Sequence, residues 1–157
     1  MIAAGFCYTF AMKIVGIGKR LIGVAFFAIG IFVYVLMFRT GSSPAGYGTH
    51  TRLGLPACSY LATKHYPCPG CGVTTASANM ARGQVVEALR ASLFGALAFL
   101  AIMAIAVAGL VQAVTGRDVL MKFWPRSWVI ALIVVLFFAS WGLKTGLGIL
   151  DGIYPIR

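Results

Sequence analysis

LIGVAFFAIGIFVYVLMF, residues 21–38, lies between Arg20 and Arg39 and contains no charged residue. As an α-helix rising about 1.5 Å per residue, it would extend about 27 Å, close to the thickness of a bilayer's hydrocarbon core. This reading makes residues 21–38 a first membrane span. Two further blocks repeat the pattern. Residues 91–116, between Arg90 and Arg117, are uncharged and long enough to cross with tilt, and their many alanines favour close packing against a neighbouring helix. Residues 127–150 form the third block, broken only by Lys144, whose long stem can snorkel to the interface. Trp124 and Trp141 would then sit about 25 Å apart on one continuous helix, a spacing that suits aromatic anchors at opposite interfaces.

Composition agrees with lipid as the solvent of the folded chain. Of the 157 residues, 61% are hydrophobic and 10% are charged; a soluble domain carries about 25% charged residues. Mean hydropathy is +0.94. A core this small cannot hide that much apolar surface. The expected architecture is an all-α integral membrane protein with three spans, and with a cysteine-containing loop and short interfacial helices between the first and second. Its segments are 1–20 before the first span, 39–90 as the loop, 117–126 as a short second connection and 151–157 as a tail.

The formal charge of +10 comes from 13 Lys and Arg against Glu87, Asp118 and Asp151. The basic residues stand singly or in pairs at the edges of apolar blocks, which points to phospholipid headgroups. No basic run interleaved with aromatics is present, which argues against nucleic acid. Lys13, Lys19 and Arg20 before the first span, and Arg117, Lys122 and Arg126 in the second connection, put both of these on the cytoplasmic side and the cysteine loop on the external side. Residues 1–12 are apolar but too short to cross. They either lie at the interface or lengthen the first helix, and Met12-Lys13 would itself make an ordinary chain start, leaving Cys7 irrelevant. A cleaved signal peptide is the rival reading of the first block, but an 18-residue apolar core exceeds the usual length.

The loop opens with the turn-rich residues 40–48 and becomes helical from Val73 to Gly83 and again from Gln84 to Arg90, with Glu87 and Arg90 paired at i, i+3. Its chemistry is concentrated in Cys58, Cys68 and Cys71, with His65 between the first two. Cys68-Pro69-Gly70-Cys71-Gly72 is the sharpest motif in the chain. Pro69 and Gly70 would supply the fixed and the permissive backbone angles of a tight turn. A helix starting just after Cys71 would favour its thiolate.

Pro56, Cys58, the run Pro67 to Thr74, Ala76, Gly83 and Ala88 resemble the bacterial membrane-protein family called domain of unknown function 2752, over roughly residues 53–150. The resemblance implies a small multi-pass protein whose motif loop precedes a membrane helix, and it implies no activity. Two departures stand out. The motif commonly continues Cys-Gly-Leu-Thr-Arg-Ala, but Thr75 stands here in place of the arginine, and Ser92-Leu93 stand where Asn-Pro is common. Position 75 therefore offers no guanidinium for anion or headgroup contact.

Several readings of the cysteines remain open. Two of the three close a disulfide that stiffens an external loop. Alternatively, Cys58, Cys68, Cys71 and His65 complete a Cys3His zinc site. Thiol–disulfide exchange is a third, although one C-x-x-C pair with an odd Cys58 is thin material for electron relay. Haem attachment would need a histidine where Gly72 stands. Gly142 and Gly146 form a G-x-x-x-G that suits helix packing against another chain. No P-loop, H-E-x-x-H, G-x-S-x-G or paired-carboxylate pattern occurs. The expectation is a non-catalytic accessory or interaction subunit of the bacterial cytoplasmic membrane. It would meet the bilayer, partner membrane proteins or its own copies, and need no cofactor; the alternative is a zinc or thiol–disulfide protein.

Overall fold

The computed structural model is all-helical among the residues it describes, 2–120 and 127–152, with side chains described for 16–120 and 128–152. Helix α1 spans Ile2–Thr40, so the apolar N-terminal segment lengthens the first helix. A 3-10 turn, Thr49–Leu53, is followed by α2 (Ser59–Lys64), α3 (Val73–Ala81), α4 (Val85–Ala91), α5 (Leu93–Thr115) and α6 (Ser127–Leu150). Three stretches are long and apolar enough to cross a membrane: Gly16–Thr40, Leu93–Thr115 and Trp128–Leu150, with mean hydropathies of 2.7, 2.6 and 2.0. In the last of these only 6% of the most apolar window is buried by protein, an exposure consistent with lipid contact. Trp124, one of the two expected aromatic anchors, lies outside the described residues.

The chain divides into two compact units. The first comprises Met1–Val33 and Ala101–Trp124. Here α1 and the second half of α5 approach backbone to backbone through small residues. A methyl placed on Gly23 would lie 2.5 Å from Gly109 O and 2.7 Å from Ala113 N, and one on Gly30 would strike the Ala106 side chain. Gly23 and Gly30 are both buried and seven residues apart, the repeat of a helix–helix seam. The polar end of this seam is closed by Gln112, 3% exposed, which donates to Lys19 O at 3.0 Å and accepts from Leu120 N at 3.0 Å. Lys19 also pairs with Asp118.

The second unit comprises Tyr34–Leu100 and Pro125–Arg157. Its core is built from alanines, Ala76, Ala88, Ala91 and Ala96, with Met80 packed against them. Small side chains let α3, α4 and the start of α5 approach closely. A methyl on Gly95 would lie 2.8 Å from Val73 Cα. Ser92 ends α4 and caps α5, its hydroxyl accepting from Gly95 N at 3.1 Å. Ser92-Leu93 thereby do the capping work that an Asn-Pro would do at the same two positions. The C-terminal carbonyls of α1 are met by cations: Arg82 donates to Phe38 O at 2.8 Å and lies over the Phe38 ring, and Arg52 reaches Thr40 O at 3.5 Å.

Along α6, the residues that are not exposed fall at 129, 137, 140, 141, 144, 145 and 148, a single helical stripe. Phe137 meets Phe94 edge to face, and Ser140 accepts from Phe94 N at 3.1 Å. The expected Glu87–Arg90 pair does not form: Lys19–Asp118 is the only ion pair among the described residues. Both side chains face a cavity instead.

Candidate functional site: a three-cysteine cluster docked on the third span

Cys58 caps the N-terminus of α2, with extended backbone angles and its carbonyl accepting from Ala62 N at 3.1 Å. Ten residues later the motif turn begins. Cys71 N donates to Cys68 O at 2.9 Å, closing the turn over Pro69-Gly70. The permissive angle sits elsewhere than the motif suggests. Gly70 is absent from the positive-φ residues, whereas Gly72 adopts φ 95°. At Gly72 a methyl would lie against Ala91 O, 2.7 Å from Lys144 Nζ and 3.1 Å from Gly46 O, so glycine is needed for both its angle and its bareness.

Two local elements therefore bring three sulfurs together. All three Sγ atoms lie within 4.8 Å of one another, and Cys68 Sγ donates to Cys71 Sγ at 3.2 Å. None is joined in a disulfide; an S–S bond would need about 2.05 Å. Cys71 is buried, and Cys58 and Cys68 are half-buried. His65 is not part of this group. It ends α2 in the left-handed region at φ 58°, its N–H bonded to Leu61 O at 3.0 Å.

The thiols are electrostatically unequal. Burial pushes the Cys71 thiol up to about 12, reinforced by the neighbouring Cys68 and Cys58 thiols. For Cys58 burial also acts upwards, but the backbone N–H of Leu61, the Cys68 and Cys71 thiols and the N–H of Tyr60 outweigh it and lower the thiol below its ordinary value. The expected thiolate stabilisation by a helix start thus falls on Cys58 at the head of α2. It does not fall on Cys71 ahead of α3, because Cys71 is the most buried of the three.

Helix α6 holds this loop from below. Trp141 Nε1 donates to Pro67 O at 2.8 Å, and Lys144 Nζ donates to Ala91 O at 2.7 Å and Cys71 O at 3.2 Å. Lys144 therefore does not snorkel freely; its charge terminates α4 and clamps the motif to that helix end. Sequence reasoning took Trp141 and Lys144 for interfacial residues. Their place three residues apart on the loop end of α6 is compatible with either role, so the sequence carried no signal to separate them. Thr75, where the motif departs from arginine, is 1% exposed and shares a 2.8 Å hydroxyl contact with buried Thr49. The pair ties α3 to the 3-10 turn without burying a charge. Gly142 and Gly146 have no atom within 4 Å of an added methyl among the described residues.

No curated protein and no solved structure matches the chain. A family model described as "Protein of unknown function (DUF2752)" matches residues 58–106, from the first cysteine of the cluster through α3 and α4 into α5.

Proposed function

We propose that the loop is a metal-binding element in which Cys58, Cys68 and Cys71 hold a soft ion, zinc, as thiolates. The observation that carries this reading is the convergence of three sulfurs from two separate backbone elements. Tetrahedral zinc with Zn–S bonds of about 2.3 Å needs sulfurs about 3.8 Å apart. Here the Cys68 and Cys71 sulfurs are 3.2 Å apart and no pair of the three exceeds 4.8 Å, separations a small adjustment brings to that spacing. A disulfide would use two of them and leave the third without a purpose. Binding releases the thiol protons, and the cation's charge offsets the cost of holding a thiolate at buried Cys71. The fourth position falls to a ligand outside this trio.

Elemental analysis of protein purified in mild detergent tests the reading. It expects close to one zinc per chain, lost in Cys58→Ser and in Cys71→Ser. Metal-free protein carrying a stoichiometric Cys68–Cys71 disulfide overturns it in favour of a stiffened loop, and a disulfide that cycles with a quinone overturns it in favour of thiol exchange.

The wider role we infer is that of a non-catalytic accessory subunit of the bacterial cytoplasmic membrane, with this loop as its rigid docking element. The apolar exposed surface of α6 and the open Gly142 and Gly146 support lateral association with a partner span or a second copy. Lys13, Lys19, Arg20 and Arg117 support an external loop. A membrane-impermeant maleimide applied to intact cells, with metal first chelated, should label Cys58; label only after lysis reverses the orientation.

A further inference from the structure

A cavity of about 800 Å³, with none of the cysteines in its lining, opens in the second unit where the start of α5 and the end of α6 meet the loop. Its charges are unusual for this chain. Only three acidic residues exist in the sequence, and two of them, Glu87 and Asp151, line this one cavity. The third, Asp118, is already paired with Lys19. Arg90 and Lys144 line the same space, and no ion pair joins any of the four to another among the described residues. Lys144 spends two of its three donors on Ala91 O and Cys71 O, leaving one.

A second observation points to a guest. Asn79 lines the cavity at 5% exposure, and its side chain makes no hydrogen bond among the described residues. The only buried side-chain polar atom without a partner among the described residues is Thr145 Oγ1, so the Asn79 amide is reached from the cavity and offers a guest a donor and an acceptor. Leucines from α5 and α6 complete the wall. The volume lies in the range of small-molecule sites, about 300–1,000 Å³.

We propose that this cavity binds the zwitterionic headgroup of a phospholipid, a phosphate diester bearing a primary ammonium. Arg90 and Lys144 take the phosphate, Glu87 and Asp151 take the ammonium, and the leucines take the first methylenes of the acyl chains. An anionic headgroup without an ammonium would bring its phosphate against two unneutralised carboxylates. A free zwitterion would leave the leucine wall unused. The site is independent of the metal reading, and zinc content should not change in the variants below.

Native mass spectrometry in detergent, with phosphatidylethanolamine, phosphatidylglycerol or soluble phosphoethanolamine added in turn, tests it. Wild-type protein retains phosphatidylethanolamine in preference to the other two. Glu87→Gln with Asp151→Asn lowers the preference over phosphatidylglycerol by about tenfold, roughly threefold for each exposed ion pair. Arg90→Gln weakens both lipids together. Glu87 and Asp151 are exposed, so helical content should be unchanged, and Glu87→Gln alone decides the matter if the double variant does not survive purification. Equal retention of the two lipids, or a preference untouched by the carboxylate substitutions, overturns the proposal. Soluble phosphoethanolamine bound as tightly as the lipid overturns the assignment to a membrane source.

Discussion

Trp141 Nε1 donates to the carbonyl oxygen of Pro67 at 2.8 Å, so the third long helix grips the backbone one residue ahead of Cys68. Pro67 is fully buried, and its carbonyl has no route to water once that donor is removed. Trp141→Phe keeps most of the ring and deletes the bond, and an unmet buried acceptor costs about 1–3 kcal/mol. The variant should melt earlier in detergent, and its Cys68 should alkylate faster as the motif loosens. Trp128→Phe, at a position 63% exposed, is the control and should change neither.

Gly72 and Lys144 occupy one another's margins. Gly72→Ala forces a side chain into φ 95° and sets its methyl 2.7 Å from the Lys144 ammonium, so we expect a loss of at least about 2 kcal/mol. Lys144→Met removes the charged donor shared by Ala91 O and Cys71 O, a loss of about 1.5–3 kcal/mol. The double variant should lose less than the two losses added, because the clash with the ammonium is gone while those with Ala91 O and Gly46 O remain. Strict additivity of the three melting shifts would mean the two residues do not touch in solution.

Thiol reactivity in metal-free protein should separate the cysteines by pH. A lowered value gives Cys58 more thiolate at any pH below its titration, so its alkylation rate levels off earlier than that of an ordinary thiol. Cys71, pushed up to about 12, holds roughly one part in ten thousand as thiolate at pH 8, and its rate should still be climbing there. Because folded Cys71 keeps its proton where the unfolded chain releases it, its contribution to stability falls as pH rises from the ordinary thiol range towards 12. Mass-resolved alkylation between pH 6 and pH 10 checks the order, and Cys71 reacting first would contradict it.

What the sequence made legible follows from which interactions are local. The three spans were readable because hydropathy over some twenty residues is a sum, insensitive to any one contact. The motif turn was readable because Cys68, Pro69, Gly70 and Cys71 are adjacent. The placing of the lowered thiol at Cys71 failed because it turned on burial, which the local sequence does not determine. The same reason hid the dock of Trp141 on Pro67, whose partners are 74 residues apart. His65 looked like a fourth ligand because it sits between two cysteines in sequence, but the three sulfurs gather without it.

The glycines of the long helices make a last prediction that bears on oligomeric state. Gly23 faces backbone: an added methyl there sits 2.5 Å from Gly109 O, which cannot turn aside as a flexible side chain would. Gly23→Ala must push α1 away from α5, and overpacking of this kind costs about 1–3 kcal/mol. Gly142→Ala meets nothing within 4 Å among the described residues. For an isolated chain it should therefore be neutral or gain up to about 1 kcal/mol from better helix propensity. If α6 seats a second copy or a partner span on Gly142 and Gly146, the same methyl falls inside that contact and weakens it. Melting temperature and oligomer mass measured together on Gly142→Ala distinguish the cases: a lower mass with an unchanged or higher melting temperature for the monomer supports a seated neighbour, and an unchanged mass removes these two glycines from any interface.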